Sequence, residues 1–213
     1  MNKLILAFAA VLLFSCKKET VETPINNSSE LKHAPLAIGN YWVYNNYQID
    51  TAQGTEVLMN NNDSIVIAKD TLINTIKYFV RMGKSITNGN TFKVIDCIRD
   101  SSGYLVNSSG LVLFAENNFT DTIYRWSIPG NNSNYINSYS LMEVLNKPVS
   151  TPAGTFYQGL NAKETISQSN IPVLIRQADH VYVENIGLVF EILYTSVWID
   201  GWIEKRLVEY QIN

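Results

Sequence analysis

From residue 40 onward, apolar and polar positions mostly alternate, a pattern that predicts strands rather than helices. The run YWVYNNYQID (41–50) places Trp42, Tyr44, Asn46 and Gln48 on one face. Tyr41, Val43, Asn45, Tyr47 and Ile49 fall on the other, which is the more apolar of the two. Similar runs recur at 64–68, 76–82, 91–99, 104–106, 111–115, 122–128, 155–167, 180–184, 188–194 and 202–212, separated by Gly, Pro, Asn, Asp and Ser. Strands at this spacing, with turn residues between them, predict an antiparallel all-β domain with at most one or two short helices. The segment KDTLINT (69–75) reads as a hairpin connection and 131–139 as a long polar loop. LMEVLN (141–146) is the best candidate for a short helix. No internal repeat of fixed period is present.

The first 34 residues break the pattern. Lys3 precedes a continuous apolar run, 4–14, too short to span a bilayer as a helix and right for the hydrophobic region of a signal peptide. The run ends in Leu13-Phe14-Ser15-Cys16, which resembles the bacterial lipobox: an aliphatic residue, a tolerant position, a small residue, then the cysteine that receives lipid. Cys16 is therefore the candidate lipidation site. The competing reading is an ordinary secretory leader cut elsewhere. Residues 17–34 are polar and aperiodic, with Pro24 within them and Pro35 just after, so they read as a flexible tether. Lys17 and Lys18 argue against an Asp-type inner-membrane retention signal, which leaves the outer membrane as the expected location. The expected organisation is a signal peptide at 1–15, a lipidated Cys and tether at 16–34 and one β-rich domain at 35–213.

Composition narrows the partners. Charged residues make up only 16% of the chain and the net charge is −3, with no basic patch, so nucleic acid is not an expected partner. With Cys16 lipidated, Cys97 is left alone and reads as a small buried residue of a strand rather than a reactive thiol.

Four pieces in order, LLFSCKKE, PLAIGNYWVY, TPAGTF (151–156) and the closing pair NIGLVFE and RLVEYQI, resemble a group of small, uncharacterised lipoproteins of Bacteroidota. The resemblance implies a strongly curved antiparallel sheet, open barrel or sandwich-like, and carries over no catalytic residue. Gly39, Gly154 and Gly187 within these motifs suit turns that need positive φ.

Four times an Asp is followed by Ser or Thr and an apolar residue, at Thr51, Ser64, Thr71 and Thr122. This resembles the O-glycosylation sequon of Bacteroidota. The same tripeptide also arises where Asp closes a turn and Thr opens a strand.

No constellation for chemistry emerges. His33 lies in the tether, and His180 beside Asp179 reads as a surface pair. Nucleophile, metal and nucleotide fingerprints are absent, so no catalytic residue, metal ligand or cofactor is predicted. Asp96 with Asp100 and Asp200 with Glu204 read as a solvated strand face and a turn. Trp198 and Trp202 flank a turn and are candidates for an aromatic ligand platform, against the plainer reading of a cross-strand pair. The sequence thus leads to a membrane-anchored envelope protein that binds an apolar small molecule, a glycan or an envelope protein. Its alternatives are a hydrolase acting on glycans or peptidoglycan, and a structural adhesin.

Overall fold

The computed structural model describes residues 31–86, 89, 91–129, 135–169, 171–194 and 201–213. These form fifteen strands and no helix: β1 (Tyr41–Asp50), β2 (Thr55–Ile73), β3 (Ile76–Lys84), β4 (Lys93–Asp100), β5 (Tyr104–Asn107), β6 (Val112–Ala115), β7 (Tyr124–Pro129), β8 (Tyr135–Val144), β9 (Val149–Thr151), β10 (Gly154–Phe156), β11 (Leu160–Gln168), β12 (Ile171–Ala178), β13 (His180–Val183), β14 (Gly187–Leu193) and β15 (Trp202–Gln211).

One antiparallel sheet runs in the order β6-β5-β4-β3-β2-β1-β15-β14-β13-β11-β8-β7 and is nearly closed into a barrel. β12 joins it beside β11, so β12 and β13 flank the same strand on either side of Asp179. The short hairpin β9–β10 forms its own sheet and packs Val149, Ala153 and Phe156 against Val181, Val189 and Leu207. The two ends of the main sheet approach each other where Phe114 and Ala115 of β6 share a core cluster with Met142 of β8, Leu160 and Ala162 of β11 and Tyr182 of β13. A curved sheet of this kind buries one side of each strand, which is why period-2 alternation carries most of the pattern.

The structure corrects several expectations of detail. In β1 the buried face is Trp42, Tyr44 and Asn46, whereas Tyr41, Val43 and Tyr47 are half-exposed on the outside. Aromatic rings with polar tips suit the interior because each finds a partner: Trp42 Nε1 donates to the Ile186 carbonyl, and Tyr44 OH to that of Leu188 at 2.9 Å. The supposed connection KDTLINT is strand down to Ile73, and only Asn74 and Thr75 make the turn, both with positive φ. LMEVLN is strand as far as Val144. Six residues are too few to hold a helix without packing, and pairing with β11 places Met142 opposite Ala162 in the core. The polar loop expected at 131–139 is strand from Tyr135, its serines facing a polar interior. The strand read as 155–167 is broken at 157–159 between β10 and β11.

The described end of the expected tether, residues 31–34, packs into the domain. Leu31 and Ala34 are buried in the core, the Lys32 carbonyl accepts from Asn185 N, and His33 Nδ1 lies 2.6 Å from Glu116 Oε1. These residues close the end of the barrel at which β1 begins, so the packed domain includes Leu31 rather than starting at Pro35.

Candidate binding cavity

Several inward rows of the sheet carry one ionisable residue among apolar ones. Asp63 stands in line with Ile65 and Ile67 on β2, and Lys205 between Ile203 and Leu207 on β15. Glu191 lies within the apolar β14, His180 opens β13 and Glu164 sits mid-way along β11. Curvature brings the five together as a chain of contacts that crosses the barrel wall.

Lys205 Nζ lies 2.7 Å from Glu191 Oε2 and 3.1 Å from Asp63 Oδ2. The second is an ion contact off the hydrogen-bond line, since Asp63 Oδ2 and Asn46 Oδ1 both accept no hydrogen bond. Asp63 Oδ1 instead takes Asn46 Nδ2 at 2.8 Å and Ile86 N at 2.9 Å. His180 Nδ1 is 3.1 Å from Glu191 Oε1, and its Nε2 is 3.7 Å from Glu164 Oε2. Glu164 Oε1 accepts from Ser138 Oγ and, at 3.3 Å, from Trp126 Nε1. Close by, Arg81 grips Asp96 with two hydrogen bonds of 2.7 and 2.6 Å, the two residues standing directly opposite on β3 and β4.

These contacts set the charges. Burial works against the His180 imidazolium, but the Glu164 and Glu191 carboxylates outweigh it and lift the pKa to about 9. Burial likewise opposes the Glu191 carboxylate, yet Lys205 and His180 hold its pKa far below the usual range. Glu164 is lowered despite burial by His180, Ser138 and Trp126. Lys205 stays charged because Glu191 and Asp63 more than offset its loss of water. Burial raises the Tyr44 and Tyr182 hydroxyls, keeping both neutral.

A cavity of about 290 Å³ lies against this chain. Its lining mixes the charged Arg81, Glu164, His180, Glu191 and Lys205 with aliphatic residues including Ile65, Ile95, Leu113 and Leu188. Towards the end closed by residues 31–36 it adjoins a small apolar hollow of about 40 Å³ between Leu36, Trp42, Ile67 and Leu105. Among the described residues, no group of three or more His, Cys, Asp or Glu is placed to hold a metal ion.

The residues singled out in the sequence are mostly elsewhere. Cys16 and Trp198 lie outside the described residues. Trp202 is half-buried, edge-on to Tyr194 at 6.2 Å between ring centres, and donates to Glu204 at 3.0 Å. Thr51 and Thr122 are exposed in turns, and Thr71 is half-buried in the β2–β3 hairpin. Ser64 sits in the middle of the sheet, opposite Val43 on one side and Lys84 on the other, and its Asp63 is fully buried. Asp96 is the partner of Arg81, and Asp100 caps the turn to Gly103 N. His180 is the correction that matters. Read as a surface residue beside Asp179, it is held between two carboxylates inside the barrel, while Asp179 bonds Asn161. The available signal was a lone Glu in an otherwise apolar strand, LVFEILY, and a Lys on the alternate row of two aliphatics, Ile203, Lys205 and Leu207.

No family model matches the chain, and no curated protein matches it. Two solved structures are similar in outline. One is a protein from Bacteroides fragilis inferred to be exported, with a YmcC-like fold, at 16% identity and a TM-score of 0.46, covering 84% of this chain and 98% of its own. The other is a protein from Parabacteroides distasonis inferred to be a lipoprotein, at 14% identity and a TM-score of 0.42, covering 85% of this chain and 99% of its own. Likeness at this level gives no residue of this chain a role.

Proposed function

We propose that the chain is a lipid-anchored protein of the bacterial cell envelope, attached to the outer membrane through Cys16. Its barrel binds a small amphiphilic molecule without transforming it. The observation that carries the binding reading is the cavity, whose lining combines aliphatic side chains with Arg81, Glu164, His180, Glu191 and Lys205, a mixture that suits a ligand with both apolar and polar parts. The charges favour binding over catalysis. A general acid or base works best with a pKa near the operating pH, and a glycosidase needs one carboxyl with its pKa raised. Here His180 is lifted to about 9, and Glu164 and Glu191 are both lowered. Among the four sequon candidates the reading keeps Thr51 and Thr122 as modified sites, because Ser64 lies in the sheet with its Asp63 buried and Thr71 is half-buried in the β2–β3 hairpin.

Native mass spectrometry of the full chain, extracted gently from its own membrane, tests all of this. The expected mass is that of a chain cleaved before Cys16 and acylated, with any glycan mapping to Thr51 or Thr122. A further non-covalent mass should leave on gentle activation and be absent from Leu113→Trp, which fills the cavity. A chain of bare acylated mass, with its cavity open, overturns the ligand reading.

A further inference from the structure

The β2–β3 hairpin reaches beyond the barrel. Tyr41, the first residue of β1, pairs with Val66, and residues 39 and 40 accompany β2 only as far as Ile67. Residues 68–73 therefore run past β1, but Val80, opposite Lys69, and Tyr78, opposite Thr71, are still buried, so the free tip is Leu72–Lys77, reaching roughly 10 Å beyond the packed strands. On the other side, β4 pairs as far as Ile98 opposite Phe79 and turns back after Asp100. The tip is thus a two-stranded arm, of a kind marginal in water without support.

Its apex is aliphatic where a water-facing turn would be polar. Leu72 is 71% exposed and Ile76 45%, with Ile73 paired to Ile76 between them. Lys69 and Lys77 form a collar behind the apex, both exposed, and Lys77 also bridges Asp70 at 2.9 Å. The turn itself holds Asn74 and Thr75 at φ 50 and 68, a left-handed conformation that a β-branched Thr seldom adopts.

The position of the arm says what covers it. It projects from the end of the barrel at which β1 begins. Residues 31–36 close that same end, with Lys32 against the β13–β14 turn and His33 on Glu116. The chain between Cys16 and Leu31 therefore joins the domain at the end from which the arm projects. Fifteen residues of chain reach at most about 50 Å, so an anchor at Cys16 places that end within this distance of the bilayer and makes it the end attached on the membrane side.

We infer that the β2–β3 apex docks on the lipid surface, with Leu72, Ile73 and Ile76 entering the interface and Lys69 and Lys77 meeting the headgroups. This rests on the membrane reading above. It orients the barrel with its closed end towards the bilayer and the β1–β2 turn, with exposed Val57 and Leu58, away from it.

The test uses the full, processed chain in vesicles of phosphatidylethanolamine and phosphatidylglycerol, in a Cys97→Ser background. Leu72→Cys and Val57→Cys each carry an environment-sensitive fluorophore. The expected result is a blue shift and quenching by a lipid-borne spin label at position 72, severalfold stronger than at position 57. Equal quenching in protein that floats with the vesicles overturns the docked apex and leaves the anchor standing. Protein that fails to float overturns both.

Discussion

At the scale of single residues the interior chain from Asp63 to Glu164 decides how the protein responds to pH. The His180 pKa is raised in the fold from about 6.5 in the unfolded chain to about 9. Its contribution to stability is fully present below the unfolded value and is lost as pH climbs through the folded one. Glu191 works in the opposite sense, stabilising above the ordinary carboxylate pKa and giving that up as acid protonates it. Urea unfolding should therefore show a loss on the order of 2 kcal/mol between about pH 6 and pH 10 that is attributable to His180, less than the full shift implies because its side chain is 21% exposed. His180→Gln should flatten that slope; an unchanged slope would mean that the imidazole is not the titrating group. Lys205 offers a sharper case. Lys205→Met keeps the volume but leaves the fully buried Asp63 without a cation and Glu191 with His180 alone, and should cost about 3–5 kcal/mol. None of this was legible from neighbours in sequence. Glu164, His180, Glu191 and Lys205 sit on four strands, and a charge in an apolar strand shows that it is buried without showing what balances it.

Strand positions were far more legible than strand lengths. Alternation and turn residues placed β1, β3, β4, β13, β14 and β15 close to where they lie, because each has one buried face. Errors gathered where a strand leaves the barrel or faces its polar interior, since period-2 hydrophobicity is lost in both settings, as in the outer half of β2 and in Tyr135–Val144. At this scale the register of β2 against β3 hangs on one small residue. A Cβ on Gly83 would lie 1.8 Å from the Ser64 carbonyl oxygen, backbone that no rotamer change can move away. Gly83→Ala should lower stability by about 3 kcal/mol, with slower-migrating or aggregated material where the pair slips. Gly110→Ala is the control. It carries a positive φ but meets nothing within 4 Å, so its cost should stay near 1 kcal/mol. Equal melting temperatures for the two variants would refute the close-approach argument.

For the whole molecule, the boundary between the expected tether and the packed domain is where composition misled most. Residues 17–34 are uniformly polar apart from isolated apolar positions, and isolated positions carry no period from which burial can be read. Leu31 and Ala34 nevertheless fill the end of the barrel, packed in one cluster with Leu105, Phe114 and Leu160. His33 supplies both its backbone N–H, at 3.2 Å, and its ring to a Glu116 that is otherwise buried. The segment thus acts as a plug that joins the start of the packed domain to the β6 edge, on the side where the sheet is not closed by strand pairing. Burying Leu31 is worth about 2 kcal/mol, and freeing Glu116 of its partner adds to the loss. A chain beginning at Pro35 should therefore unfold at lower urea than one beginning at Leu31, by about 3 kcal/mol. Amide exchange should quicken first in β6, which faces the plug. His33→Ala within the longer chain should give the smaller part of that loss. If the two chain lengths melted together, residues 31–34 would be tether after all, and the closed end of the barrel would have to be held by β6 and β13 alone.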